Sequence, residues 1–563
     1  MKTQWYKNAV VYQIYPFSFK DSDNDGWSDI PGILSKLDYI KDLGATAIWF
    51  SPLYKSPDYD YGYDISDYKA IDEKFGTMKD FDELLKTCHE KGLKVIMDMV
   101  INHSSIEHPW FKEAMADKNS KYRDYYIIRK GIERNGQLYP PTNWASTFTG
   151  SAWEWISGTN EYYLHLFCKE QADLNWENPD LRKDIADILN FWLDKGVDGF
   201  RFDVFNMFSK VYPFADDDSK SFQKGSKFFV DGPRMHEFLK ELNERTLSHY
   251  DSFSVGESYH PSKENALAYV KEENKELDAI FNFAHLDADN IGGMKFFYKP
   301  FDLKQFKEGL FGPQIDNYES GWNTLVLENH DNPRCVSRFG IDDKHYRYEA
   351  ATMLAGITYL GYGTPFIYQG QEIGMTNSAF ENIDEMKDPV SHFVYDLMTG
   401  YRMPKSLAFR FIRYGARDHA RVPMQWDDSV NAGFNEGHAP WQSMGTDHKD
   451  IHVKKDLESE KSIYRFYQKL LKLRKDDDTF LFGEVKEYDH ENRKVVAYTR
   501  QREGTRYFIV ANFSKGRCRY KAPDFIENSD VVLNNYEAVK KENGTLDLEP
   551  YQVLVFKGSA TYH

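Results

Sequence analysis

The chain has 563 residues, 41% of them hydrophobic and 16% aromatic, and a formal net charge of −17. That length supports a large core plus one or two smaller domains. The acidic balance argues against nucleic acid or an anionic membrane as partner and leaves a neutral substrate open.

Cys88, Cys168, Cys335 and Cys518 are scattered with no CxxC pair, which fits reduced thiols and neither a disulfide framework nor a zinc site. The first residues, MKTQWYKNAVVYQIYPF, show no apolar signal core, and no run of eighteen apolar residues occurs. The expectation is a soluble cytoplasmic protein, a monomer or weak homo-oligomer, with no membrane segment.

Along the chain, short apolar runs alternate with amphipathic stretches. Strands are predicted at 10–15, 45–51, 93–100, 197–202, 252–256, 277–283, 324–327 and 365–368. Helical spacing occurs at 33–43, 81–91, 181–195, 235–247 and 348–360. Eight strands, each followed by helix, predict an α/β fold of the parallel (β/α)8 TIM-barrel type; a doubly wound sheet accounts less well for polar residues at so many strand ends. In such a barrel the chemistry sits at the C-terminal strand ends.

Residues 104–172, rich in Asn, Ser, Tyr and Trp as in PPTNWASTFTGSAWEW, predict an inserted lid domain after strand 3. A second insertion, about 376–416, follows the eighth strand. A helix at 462–475 closes the barrel, and from about 482 a period-two pattern predicts a C-terminal antiparallel β-sandwich domain. The assigned domains are the barrel at 1–103 and 173–481, the lid at 104–172 and the β domain at 482–563.

The stretch GVDGFRFDVF, 196–205, reads as a buried strand ending in charge. Arg201 and Asp203 are two apart and share a strand face. An adjacent guanidinium is expected to lower the Asp203 pKa and keep that carboxylate ionised. Alone the pair also reads as a structural ion pair. Its company changes that: Asp98 ends the third strand, Glu257 the fifth, and Asp331, beside His330, the seventh. Carboxylates at several strand ends of one barrel converge on one mouth.

Two carboxylates flanking a glycosidic bond are the machinery of glycoside hydrolysis. Apolar Val255 and a negative neighbour are expected to raise the Glu257 pKa. Asp203 is therefore assigned as nucleophile, and Glu257 as general acid and then base.

These motifs carry a resemblance. DMVINH, QADLNWENP, GFRFDV, VGES, ENHD and RDHARVPMQW resemble the α-amylase superfamily, glycoside hydrolase family 13, and within it the oligo-1,6-glucosidase/α-glucosidase group. The resemblance runs nearly end to end, and QADLNWENP is the mark of that group. It implies catalysis by Asp203, Glu257 and Asp331, the last holding two ring hydroxyls. Retention with carboxyl groups about 5–5.5 Å apart is implied as well.

It further implies that Asp60, Tyr63, His103, Arg201, His330 and Arg417 bind one terminal glucose. Tyr63 would stack on the ring, Arg417 would pair with Asp60, His103 and His330 would bond hydroxyls, and Phe148 and Phe167 would supply apolar walls. The resulting blind pocket implies exo action. Val204, after the nucleophile, resembles enzymes preferring α-1,6 bonds.

Near the N-terminus, DSDNDGWSD places Asp21, Asp23, Asp25 and Asp29 at a spacing that suits calcium. It is no EF-hand, because Gly32 stands where the twelfth-position Glu belongs. It resembles the structural calcium loop of the group, with Trp27 offering its carbonyl. No organic cofactor is expected.

Departures from the group are Ala172, Tyr61, Ser258, Tyr259, His260, Phe205 and His419. None touches the chemical carboxylates. The implied activity is a retaining α-glucosidase acting on short oligosaccharides or disaccharides such as isomaltose and panose. Sucrose isomerisation, transglucosylation and trehalose-6-phosphate hydrolysis are the alternatives. HLDAD at 285–289 replaces the Arg-rich stretch of the isomerases and argues against the first of these.

Overall fold

The eight predicted strands form one parallel sheet in the computed structural model, which describes residues 3–148 and 150–560. The outer ends of the assigned barrel and β domain, residues 1–2 and 561–563, lie outside the described residues. The strands are β1 (Val11–Ile14), β2 (Ala47–Phe50), β3 (Lys94–Met99), β4 (Gly199–Phe202), β5 (Phe253–Glu257), β6 (Ala279–Phe281), β7 (Thr324–Val326) and β8 (Thr364–Tyr368). β1, β2 and β4 are buried along their whole length, as a parallel sheet wrapped in helices requires.

Pairing runs β6-β5-β4-β3-β2-β1-β8-β7. Between β6 and β7 no ladder forms among the described residues, and Thr324 Oγ1 donates to Ile280 O at 3.1 Å across the gap. The barrel is thus nearly closed. The helix Ile463–Asp476, capped by Ser462, buries Phe466, Tyr467, Leu470 and Leu471. It packs between Leu37–Leu43 and Arg347–Tyr359 and completes the outer ring.

Local signals explain how β4 is delivered. Asn178 caps the helix Pro179–Lys195, Pro179 occupies its first turn, and Gly196 ends it at φ 104. The chain then turns directly into β4. The predicted helix at 33–43 is divided: Asp29 caps Ile30–Leu34, and a second helix, Leu37–Leu43, follows.

The inserted lobe is tied to the barrel where His103–Ser105 pairs antiparallel with Gln171–Asp173. A long excursion after β4, residues 205–234, was not anticipated. Its polar run DDDSK hides Met207, Phe214, Phe228 and Phe229, which pack on Trp144 and Trp153 of the lobe. The C-terminal domain is a sandwich of five strands against three, with Phe508, Val510, Leu546, Leu548 and Phe556 between them. Buried Arg500 docks it by donating to Leu360 O at 2.7 Å. Among the described residues no helix is long and apolar enough to cross a membrane.

Candidate active site

Gly199 lets β4 lie tight against β5: a Cβ there would meet Phe253 O at 2.2 Å. That closeness sets the reach of Arg201, which is 1% exposed. Its Nη1 donates to Asp203 Oδ1 at 2.7 Å and to Asp98 Oδ1 at 2.8 Å, while Nη2 donates to Glu257 Oε2. One guanidinium therefore holds carboxylates from the ends of three adjacent strands. Backbone pairing of Asp203 N with Met99 O at 3.1 Å fixes the end of β4. Val204 then takes a left-handed conformation, φ 36 and ψ 42, rare for a β-branched residue.

The electrostatics correct one expectation. Burial pushes the Asp203 carboxyl up to about 6, and Arg201 offsets that only in part. The guanidinium does not lower the group below its ordinary value, because burial outweighs it, the charge of Asp98 opposes it and its donors are divided among three buried carboxyls. Burial likewise pushes Glu257 up to about 8, with the charges of Asp203 and Asp331 adding to it against Arg201. Glu257 and Asp203 also share a hydrogen bond, which favours the proton on Glu257. The order therefore matches the assignment: Asp203 ionises first and Glu257 keeps its proton.

Asp331 lines the same cavity as Asp203 and Glu257. Its Oδ1 accepts from Arg417 Nη1 and Arg421 Nη2, each at 3.1 Å. Burial opposes its ionisation, but the ring of His330 and the cations Arg417, Lys295 and Arg421 hold it well below the ordinary range. Arg417 also donates to Asp60 Oδ1 at 3.0 Å and to Asp388 at 2.5 and 2.9 Å. Asp60, Asp331 and Arg417 all line the same cavity, and buried Asp388 holds Arg417 from outside that lining. Phe148 and Phe167 meet edge to face at 5.4 Å and bring the lobe over it, with Arg417 5.3 Å above the Phe148 ring.

The remaining predicted residues separate into two layers. Asp60, Tyr63, His103, Phe148, Phe167, Asp203, Val204, Glu257, Asp331 and Arg417 line one cavity of about 1680 Å³. Arg201 and His330 stand behind its wall. His330 is fully buried, with Nδ1 2.9 Å from Gln13 Nε2 and Nε2 2.8 Å from the Tyr63 hydroxyl. The amide nitrogen of Gln13 can only donate, so Nε2 carries the hydrogen, within reach of the Tyr63 hydroxyl and of Asp331 Oδ2 at 3.2 Å, and Tyr63 donates in turn to Asp98 Oδ2 at 3.0 Å. The His330 ring also stacks on that of Tyr63, with centroids 5.3 Å apart. His103 is neutral, its pKa pushed down to about 3 by burial, and its Nε2 lies 3.1 Å from Tyr63 O.

A cavity that holds one carboxyl ionising first and a second that keeps its proton, both on one guanidinium, suits displacement at an acetal carbon. The α-amylase catalytic-domain model matches residues 13–483. The chain belongs to the α-amylase family of glycoside hydrolases. A second model, the SusG C-terminal domain of α-amylase, matches 495–555.

The oligo-1,6-glucosidase of Bacillus cereus is 45% identical over 99% of this chain and 100% of its own length. The trehalose-6-phosphate hydrolase of Bacillus subtilis (strain 168) is 41% identical over 99% and 98%. Among solved structures, the trehalose-6-phosphate hydrolase of Bacillus licheniformis superimposes with a TM-score of 0.92 at 42% identity, covering 99% and 100%. The isomaltulose synthase of Klebsiella sp. LX3 gives 0.94 at 38%, again covering 99% and 100%.

Sequence reasoning missed several groups of this α-amylase-family site. Gln171 donates to Asp60 Oδ2 at 3.2 Å and Tyr63 O at 3.1 Å, so the QADLNW stretch clamps the pocket from the lobe side. Asp173 takes Asn102 at 3.0 Å and the ammonium of buried Lys210. Asp388 precedes a Pro at a helix start, which marks an N-cap but gives no hint of Arg417. Arg421 lies inside a quoted motif, and Lys295 carried no signal at all.

In the loop after β1, Asp21, Asp23 and Asp29 bring carboxylate oxygens within 4.8 Å of one another. Burial, then Asp25 and Asp29, push the Asp23 carboxyl up, so negative charge is concentrated there. Asp25 stands outside that triplet, its Oδ1 accepting Trp27 N–H at 2.8 Å. Gly26, at φ 101, makes the turn possible, since a Cβ would meet Ala439 O at 2.6 Å.

Proposed function

We propose that the chain is an exo-acting retaining α-glucosidase that releases terminal glucose from short α-glucosides, with α-1,6 links preferred. The single observation that carries this is the Arg201 guanidinium shared by Asp203 and Glu257, whose carboxyls are pushed up to about 6 and about 8.

In the first step an Asp203 oxygen attacks the anomeric carbon, the bond to the aglycone oxygen breaks, and Glu257 gives that oxygen its proton. The ester removes the Asp203 charge, so the Glu257 pKa falls and it can take a proton from water. Water attacks the same carbon, the ester bond breaks, and the α configuration is restored. Asp331, held ionised by its cations, grips ring hydroxyls. Asp60 and Arg417 at the floor leave room for one terminal glucose, which supports exo action.

Relatives named oligo-1,6-glucosidase support the linkage, as does Val204 beside the nucleophile. The stretch 285–289 supports hydrolysis over isomerisation. Its His285 is bonded to Val326 O at 2.6 Å, its Asp289 to Arg338, and it contains no Arg. Initial rates on isomaltose, maltose, sucrose and trehalose-6-phosphate test the reading: isomaltose should lead, and a preference for trehalose-6-phosphate or accumulation of isomaltulose would overturn it.

The loop carboxylates Asp21, Asp23 and Asp29, with the Trp27 carbonyl and Asp25 at its edge, suit a structural calcium ion. They are hard oxygen donors outside the lining of the cavity that holds Asp203, so the ion would hold the fold and take no part in the chemistry. The homology also supports a cytoplasmic enzyme.

A further inference from the structure

We propose that Asn206 is the positioning residue that fixes where Glu257 stands relative to Asp203. The inference rests on the α-glucosidase reading and names what sets the spacing of its two carboxyls.

The ladder between β4 and β5 ends at Phe202 opposite Gly256, one residue short of Asp203 and of Glu257. Val204, turned left-handed, then takes the chain out of the sheet into the 3-10 turn Phe205–Met207. On its far side Glu257 pairs with Phe281 of β6, which does not set its distance from Asp203. On the near side a side chain takes over from the ladder. Asn206 Oδ1 accepts Tyr259 N–H at 2.8 Å, and Asn206 Nδ2 donates to Tyr259 O at 2.9 Å. One amide thus meets both backbone groups of a single residue, as a neighbouring strand would. Asn206 is fully buried, so water does not compete for these bonds.

The amide is itself held in place. Nδ2 also donates to Asp231 Oδ1 at 3.0 Å, and Asp231 N–H donates back to Asn206 O at 2.8 Å. The hydroxyl of buried Tyr269 donates to the same Asp231 oxygen at 2.7 Å. Next to it the Phe205 ring lies 2.5 Å from where a Cβ on Gly256 would fall, and meets Tyr269 edge to face at 4.8 Å. The turn after the nucleophile is therefore seated on the residue before the acid. Its next side chain grips the second residue after the acid.

Loss of the Asn206 side chain leaves the Phe205 seat and the ladder behind Asp203, and loosens the chain that follows Glu257. The proton donor shifts and the attacking carboxylate stays. Burial and the charges of Asp203 and Asp331 push the Glu257 carboxyl up against Arg201. A Glu257 that swings outward loses part of each and titrates lower.

The test compares Asn206→Ala with the unaltered chain on two substrates. One is the α-glucoside the chain cleaves fastest, isomaltose in the proposed reading, whose leaving oxygen needs the Glu257 proton. The other is α-glucosyl fluoride, whose fluoride leaves without one. The expected fall in kcat/KM is about 100-fold on the α-glucoside, the scale of a misplacement of about 1 Å, and under about threefold on the fluoride. The falling limb of the α-glucoside pH profile should move down by about one unit. Tyr269→Phe keeps the ring and removes one hydroxyl bond to Asp231, and is expected to lower the α-glucoside rate alone by about fivefold. Equal losses on the two substrates, or an α-glucoside rate that is kept, overturn the proposal; if Asn206→Ala does not fold, Tyr269→Phe decides by the same criterion. An unaltered chain that cleaves neither substrate class overturns it together with the α-glucosidase reading.

Discussion

Arg417 grips Asp388 through two hydrogen bonds, Nε to Oδ2 at 2.9 Å and Nη2 to Oδ1 at 2.5 Å, and so keeps its remaining donor for Asp331 and a shared one for Asp60. Asp388 touches no part of the reacting carboxylate pair, yet it sets the plane of a guanidinium that lines the cavity beside Asp331. Asp388→Ala leaves a buried cation with less than its full set of partners. The expected loss is about 3 kcal/mol of stability, with KM for a short α-glucoside raised about tenfold and kcat changed less. Thermal unfolding and initial rates check this; an unchanged KM would show that Arg417 holds its place without Asp388.

The split between Asp203 and Glu257 fixes a pH profile. Asp203 must be ionised, so kcat/KM rises as pH climbs through about 6. Glu257 must carry its proton, so kcat/KM falls as pH passes about 8. The expected curve is a bell with its maximum near neutrality. A profile with one limb, or a maximum below the Asp203 value, would contradict the roles.

Val204 lines the cavity directly after Asp203, with its backbone held left-handed. In the proposed reading its two methyl groups would narrow the space next to the scissile bond. Val204→Thr is expected to move the ratio of isomaltose to maltose turnover toward maltose by about tenfold, the scale of one group in a close-fitting pocket. An unchanged ratio would remove Val204 from linkage selection.

How much of this was legible follows from the kind of signal each residue leaves. Buried parallel strands are continuous apolar runs, so all eight appeared in the sequence close to their observed positions. Asp203, Glu257 and Asp331 were visible because each stands in a motif at a strand end. The state of Asp203 was not, because one Arg beside one Asp in sequence does not show that Asp98 and Glu257 reach the same guanidinium. The layer to which His330 belongs was likewise hidden, since it depends on Gln13, more than 300 residues away. The 205–234 excursion escaped because its apolar residues lack periodicity and find their partners in distant segments, Phe205 and Phe208 in the barrel and Phe214, Phe228 and Phe229 in the lobe.

If Asp21, Asp23 and Asp29 hold calcium, the ion binds the folded chain and not the unfolded one. Calcium at about a hundred times its dissociation constant would then add about 2.7 kcal/mol. A chelator is expected to lower the unfolding temperature, and Asp21→Asn to abolish the difference between the two conditions. Equal unfolding temperatures with and without calcium would leave the loop as an acidic turn.

Trapping of the glucosyl-enzyme tests the double displacement most directly. A fluorinated glucosyl fluoride that forms the ester faster than water cleaves it, followed by peptide mass analysis, identifies the attacking residue. The expected result is one glucosyl adduct, on the peptide containing Asp203 and located at that side chain. An adduct on Glu257 or Asp331, or turnover of the reagent with no adduct at any time, would contradict the account.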